Sequence, residues 1–182
     1  MRIVATEYVS LDGVFEEPGH WSGPWFDDQA AQFKFAELQA SDALLLGRKT
    51  YEGFAAAWPR MEGTGEFGEK MNAMPKYVVS NTLDNPQWSG SQVIKGEVVG
   101  QLRELKLHPG QDLLLSGSGQ LVNALMREDL IDLYRFMVYP IVLGGGARLF
   151  AEETDTKPLR LTHTTSFDSG IVIAEYEPTT QS

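Results

Sequence analysis

A chain of 182 residues with 42% hydrophobic content suits one domain with a packed core, and a formal net charge of −10 argues against nucleic-acid binding, which needs a basic face that this composition hardly offers. The absence of cysteine excludes disulfides, thiolate metal ligands and thiol nucleophiles. The first residues enter a strand pattern without the features of a signal peptide, and no apolar run reaches the roughly 20 residues that span a bilayer, so a cytoplasmic protein is expected.

In chain order, strand patterns fall at Arg2 to Val9, Ala43 to Leu46, Lys76 to Ser80, Ser91 to Ile94, Asp112 to Ser116, Ile131 to Val138, Leu159 to Phe167 and Ile171 to Glu177. Helical spacing falls between many of them. Asp27 to Ala40 has one apolar face, with Asp27 or Asp28 placed to cap its first turn. Thr50 to Ala57 is a short helix stopped by Pro59. Glu97 to Leu107 carries Val98, Leu102 and Leu105 on one stripe before Pro109 and Gly110, and Leu121, Val122, Leu125 and Met126 make a further stripe. Strand and helix alternate through residue 138, which implies crossover connections and a largely parallel sheet. The last two strands meet at Asp168-Ser169-Gly170, a hairpin turn. The chain reads as one domain over residues 1–178 with a short tail at 179–182.

Two stretches lack periodicity and read as long loops. Leu11 to Trp25 is rich in glycine, proline and aromatics, whose rings are more often core plugs than ligand-stacking partners. Arg60 to Met74 carries three glycines and mixed charge. The histidines His20, His108 and His163 are scattered without metal-ligand spacing, so no metal site is expected and surface positions are the default.

The chemistry concentrates at strand ends. Gly47-Arg48-Lys49-Thr50 follows the buried run Ala43 to Leu46, where a helix opening behind a glycine and two cations brings amides, a hydroxyl and positive charge to one point. Gly117-Ser118-Gly119 after Leu113 to Leu115 repeats the device. Each alone is equally a tight strand-to-helix turn. Together, at the carboxyl edge of one parallel sheet, they point to a ligand with more than one phosphate. Ser80-Asn81-Thr82 follows another strand and is by itself most simply a turn. The run Ile141 to Phe150 holds the triple glycine 144–146, suited to close backbone approach or to a plain flexible connection. A hydrolase is rejected, because Gly117-Ser118-Gly119 lacks the spacing and histidine partner of a nucleophile elbow.

Taken in order, Ser10-Leu11-Asp12-Gly13, Gly47-Arg48-Lys49-Thr50-Tyr51-Glu52, Val78-Val79-Ser80, Ser116-Gly117-Ser118-Gly119 and Pro140-Ile141-Val142-Leu143-Gly144-Gly145-Gly146 resemble the dihydrofolate reductase-like superfamily over nearly the whole chain. The first and last of these look most like the reductase domain of bacterial riboflavin biosynthesis, in stand-alone form. The Gly-Arg-Lys-Thr element is closer to dihydrofolate reductase.

The resemblance implies a three-layer α/β/α fold with a mostly parallel mixed sheet and a C-terminal antiparallel hairpin. It implies NADPH as cofactor. Gly47, Arg48, Lys49 and Thr50 would meet its phosphates, with Arg48 or Lys49 favouring NADPH over NADH. Ser80, Asn81 and Thr82 would lie beside the adenosine ribose and its phosphate. Gly117, Ser118, Gly119 and Gln120 would receive the pyrophosphate. The implied activity is reduction of a small heterocyclic or ribosylated substrate, similar to 5-amino-6-(5-phosphoribosylamino)uracil. A dihydrofolate or pterin reductase is the first alternative, set back because Gln29 stands where that enzyme has its substrate carboxylate. A non-catalytic nucleotide-binding module is the second. Asp12, Asp27 and Asp28 are the candidates for a polar or proton-donating role, and Arg148 and Lys76 are the basic residues at hand for a substrate phosphate. A homodimer is expected by the same resemblance.

Overall fold

The order of the strands in space follows from which of them are buried on both faces. The computed structural model describes residues 1–150 and 156–179, so of the expected tail only Thr179 falls among the described residues. Among the described residues eight strands form one sheet: β1 (Arg2–Ser10), β2 (Ser41–Gly47), β3 (Lys76–Val79), β4 (Ser91–Ile94), β5 (Asp112–Leu115), β6 (Leu133–Tyr139), β7 (Leu159–Ser166) and β8 (Val172–Pro178). Their order is β4-β3-β2-β5-β1-β6-β8-β7. β1 to β6 run parallel, and β8 and β7 close the sheet as the antiparallel hairpin. The apolar runs of β2 and β5 therefore sit at the centre, where neither face meets water.

Side-chain alternation on β1 divides the core. Ile3, Ala5 and Val9 belong to one cluster, with Leu102 and Leu105 of α4 (Val98–Leu107) and Leu121, Val122 and Leu125 of α5 (Gly119–Arg127). Val4 belongs to the opposite cluster. There Leu38 of α1 (Asp28–Gln39), Tyr51 of α2 (Arg48–Ala57) and Met71 of α3 (Gly65–Ala73) cover the sheet. The three expected layers are present, and no helix among the described residues is long and apolar enough to cross a membrane.

Three local features refine the sequence reading. Asp27 is the cap of α1, accepting the Ala30 amide at 2.9 Å, while Asp28 lies in the first turn. The stretch 60–74 is not a plain loop, because Gly65–Ala73 is α3. Its glycines hid a helical register in which Phe67, Met71 and Met74 face the core. The aromatics of 11–26 are core plugs in large part, since Trp21 and Trp25 pack with Tyr139, Ile171 and Ile173. All three histidines are exposed.

Candidate functional site

The parallel strands deliver two glycine turns to the same place. The Gly47 amide, at the end of β2, donates to the Gly117 carbonyl just beyond β5 at 2.9 Å. A Cβ on Gly47 would lie 2.6 Å from Ser118 Oγ and 2.8 Å from the Ser118 amide nitrogen. A Cβ on Gly117, which has φ +66°, would lie 2.9 Å from Thr50 Oγ1. The two turns thus pack backbone to backbone. Behind them start α2 and α5, and at neither start does a side chain cap the amides. Two uncapped helix N-termini with the Ser118 and Thr50 hydroxyls nearby form a cradle of the kind that can hold an anion.

The cation of the cradle reaches toward the third motif. Arg48 donates from Nε to Glu52 at 2.7 Å and from Nη1 to Thr82 Oγ1 at 2.6 Å. Ser80 Oγ accepts the amides of Thr82 and Leu83 and so shapes that turn. Asn81 is directed toward β4, where its side chain accepts the Gly96 amide at 3.0 Å. Lys49 and Gln120 are exposed at the first turns of α2 and α5. Gly119 is covered by the Phe15 ring, whose Cζ lies 2.6 Å from the position of a Cβ there.

The carboxylates singled out from sequence are not gathered. Asp12 accepts the Ser10 hydroxyl at 2.7 Å and the amides of Leu143 and Gly144 at 3.1 and 2.9 Å. These donors, the Ser10 hydroxyl foremost, hold its carboxyl down at about 2, so it stays ionised. Asp12 thereby fastens the start of the glycine-rich run to the 11–16 segment, and Glu16 adds a bond from the Ala147 amide. Asp27 is occupied as a cap, and Asp28 is exposed. Gln29 accepts the Asp168 amide at 2.8 Å and is turned to the hairpin.

Of the two basic residues weighed for a substrate phosphate, Lys76 is withdrawn. It is fully buried, donating to the carbonyls of Asn72 and Ser89, with Nζ 4.3 Å from the centroid of Trp88. Arg148 remains at the surface, in the wall of an open cleft of about 460 Å3 over Gly144 to Ala147.

Sequence reasoning missed a buried polar layer beneath the site. Glu37 of α1 is bonded by Thr6 at 2.7 Å, by Arg135 at 2.9 Å and by Lys34, while Arg135 also reaches Glu175 on the neighbouring strand. Burial alone would push the Glu37 carboxyl up, but Lys34 and Arg135 outweigh it and the net direction is down. Glu7 is the opposite case. It is buried on β1, accepts the Gly117 amide at 2.6 Å, and among the described residues has no cation in bonding distance, so burial raises its carboxyl to about 8. The available signal was a carboxylate at the third position of an otherwise apolar face, after Ile3 and Ala5 and before Val9.

The fold is that of the dihydrofolate reductase-like proteins. Residues 2–173 match the model of the RibD C-terminal domain, and the chain belongs to that family. It is similar to the uncharacterised protein YyaP of Bacillus subtilis (strain 168), 29% identical, over 96% of this chain and 94% of that one. A solved Shewanella sp. PV-4 structure, described as a riboflavin biosynthesis protein, superposes with a TM-score of 0.80 at 21% identity, covering 98% of this chain and 99% of that one. Dihydrofolate reductase from Enterococcus faecalis, complexed with NADP(H), superposes with a TM-score of 0.66 at 15% identity, covering 97% and 96%.

Proposed function

We propose that this protein is an NADPH-dependent reductase of a small heterocyclic or ribosylated substrate, of the kind represented by 5-amino-6-(5-phosphoribosylamino)uracil. The observation that carries the reading is the joining of two uncapped helix starts through Gly47 and Gly117, with Arg48 reaching Thr82 at one side. This arrangement fits a dinucleotide with two separate anionic regions. The α5 start, Ser118 and Thr50 would hold the pyrophosphate, and Arg48, Ser80 and Thr82 the phosphate on the adenosine ribose. Lys49 and Asn81 would border the same two regions.

When bound, NADPH supplies a hydride to an electrophilic carbon, and the work of the chain is to bind, orient and shield. Tyr8, with its ring 5.3 Å from Tyr139 and 6.3 Å from Phe26, gives the aromatic wall for a flat substrate ring. Arg148 in the open cleft is the group placed for a ribose phosphate. Asp12 serves by holding the 141–149 run and Asp27 by starting α1, so neither is assigned the proton transfer. A pterin substrate is disfavoured because Gln29 is engaged by the hairpin. A cytoplasmic homodimer completes the reading, and a monomeric mass in sedimentation would remove the dimer.

The test is an NADPH fluorescence titration followed by oxidation assays with an aminouracil ribotide, pterins and small carbonyls. Binding with ribotide-dependent oxidation is expected. Binding without oxidation across the panel would favour a non-catalytic module, and no binding at millimolar concentration would end the cofactor reading.

A further inference from the structure

Glu7 lies in none of the motifs that define the cradle, yet it forms the cradle's floor. Its Oε1 accepts the Gly117 amide at 2.6 Å, and its Oε2 lies 4.0 Å from the place a Gly117 Cβ would take, a place that Thr50 Oγ1 approaches to 2.9 Å. The residue is only 6% exposed, and among the described residues no cation is bonded to it. The contrast with Glu37 is direct, for that carboxylate is equally buried but held by Lys34 and Arg135.

We propose that Glu7 is a positioning residue whose proton sets cofactor affinity: neutral, it holds the Gly117 turn for a diphosphate anion, and ionised, it places a buried negative charge beneath that anion. This rests on the cofactor reading above. A carboxylate in a low-dielectric site repels a neighbouring anion far more than one in water does. Uncompensated burial keeps the acid neutral at ordinary pH. Among the described residues the charges that face it are few. From α1, Lys34 favours its ionised form and Glu37 opposes it. Arg135 on β6 and Glu175 on β8 are committed to the Glu37 network. At the start of α2, Arg48 is paired with Glu52, and Lys49 is exposed. Gly117 to Gly119 bring no charge, and Asp12 on the covering segment is bonded to 143 and 144.

With the Glu7 carboxyl titrating at about 8, binding confined to the neutral form weakens about tenfold between pH ~7 and pH ~9, and takes up about one proton at the higher pH. The experiment is calorimetric titration of the full chain with NADPH at both pH values, in two buffers of different ionisation enthalpy. Wild type is expected to show the weakening and the uptake. Glu7→Gln, which stays neutral and can still accept the Gly117 amide, is expected to bind equally at both values with no uptake. Wild-type affinity that is flat with pH, or a Glu7→Gln profile that slopes like wild type, would overturn the proposal while leaving the cofactor reading intact. If NADPH fails to bind at pH ~7, that reading falls and the proposal with it. Should Glu7→Gln not fold, carboxyl 13C NMR of wild type decides. One glutamate titrating near the Glu7 value of about 8 and moved upward by NADPH is expected, and its absence rejects the assignment.

Discussion

The Gly47 amide donates to the Gly117 carbonyl at 2.9 Å, and this bond makes one structure of two turns that lie on different strands. The same contact leaves no room for a side chain, since a Cβ on Gly47 would meet the Ser118 amide and hydroxyl inside contact distance. Gly47 itself has φ −73°, so the requirement for glycine there is close approach and not conformation.

Gly47→Ala is therefore expected to push the two turns apart. Overpacking of this kind costs about 1 to 3 kcal/mol of stability. The larger effect falls on NADPH binding, with a loss of at least about tenfold as the two helix starts lose register. Thermal melts and a fluorescence titration check both, and an unchanged titration would refute the shared cradle.

In the proposed function, Arg48 would meet the phosphate that distinguishes NADPH from NADH. Arg48→Ala is expected to weaken NADPH by about 1.5 to 3 kcal/mol, the value of a hydrogen bond to a charged group, and to leave NADH unchanged. Parallel titrations of the two nucleotides separate the cases. Equal losses would move Arg48 out of the adenosine end of the site.

Asp12→Ala removes the acceptor of the Leu143 and Gly144 amides. Hydrogen exchange at those two amides should accelerate, while exchange in β1 stays slow, because the strand is held by both β5 and β6. Unchanged protection at 143 and 144 would show that the glycine-rich run is held by its other bonds alone.

The two buried glutamates predict opposite slopes of stability with pH. Glu37 is held below the ordinary 4.5, so the unfolded chain binds more protons at acid pH, and the Glu37 contribution is present above that value and lost below it. Glu7 is held above, at about 8, so the folded chain binds the extra proton. Its contribution is full below 4.5 and falls as pH rises to about 8. Denaturant melts of Glu7→Gln should show it gaining on wild type across that interval. Glu37→Ala, which takes the paired carboxylate from Lys34 and leaves Arg135 with Glu175 alone, should lose about 3 to 5 kcal/mol at neutral pH. A loss below about 1 kcal/mol would mean that water reaches the pair.

Much of the architecture was legible because it rests on local patterns. Apolar runs at 43–46 and 113–115 mark central strands, and Asp168-Ser169-Gly170 marks the hairpin, where Gly170 has φ +89°. The helix at Gly65–Ala73 was missed because Gly63, Gly65 and Gly68 lower helix propensity, while packing of Phe67 and Met71 against the core compensates. Lys76 looked available because a lysine is usually solvated. Only the fold encloses it between Trp88 and two carbonyls.

The sequence by itself determined the strand-to-glycine junctions, the helix stripes and the order of motifs, since each depends on residues a few positions apart and on the periods of strand and helix. Which junctions meet, and which carboxylate is charged, only the tertiary structure decided. Gly47 and Gly117 become neighbours because β2 pairs with β5 and not with β1. Glu7 and Glu37 have the same chemistry in the chain. They differ in the fold because Lys34 and Arg135 converge on one of them, whereas the other accepts the Gly117 backbone amide, and charge in a buried site is governed by such partners.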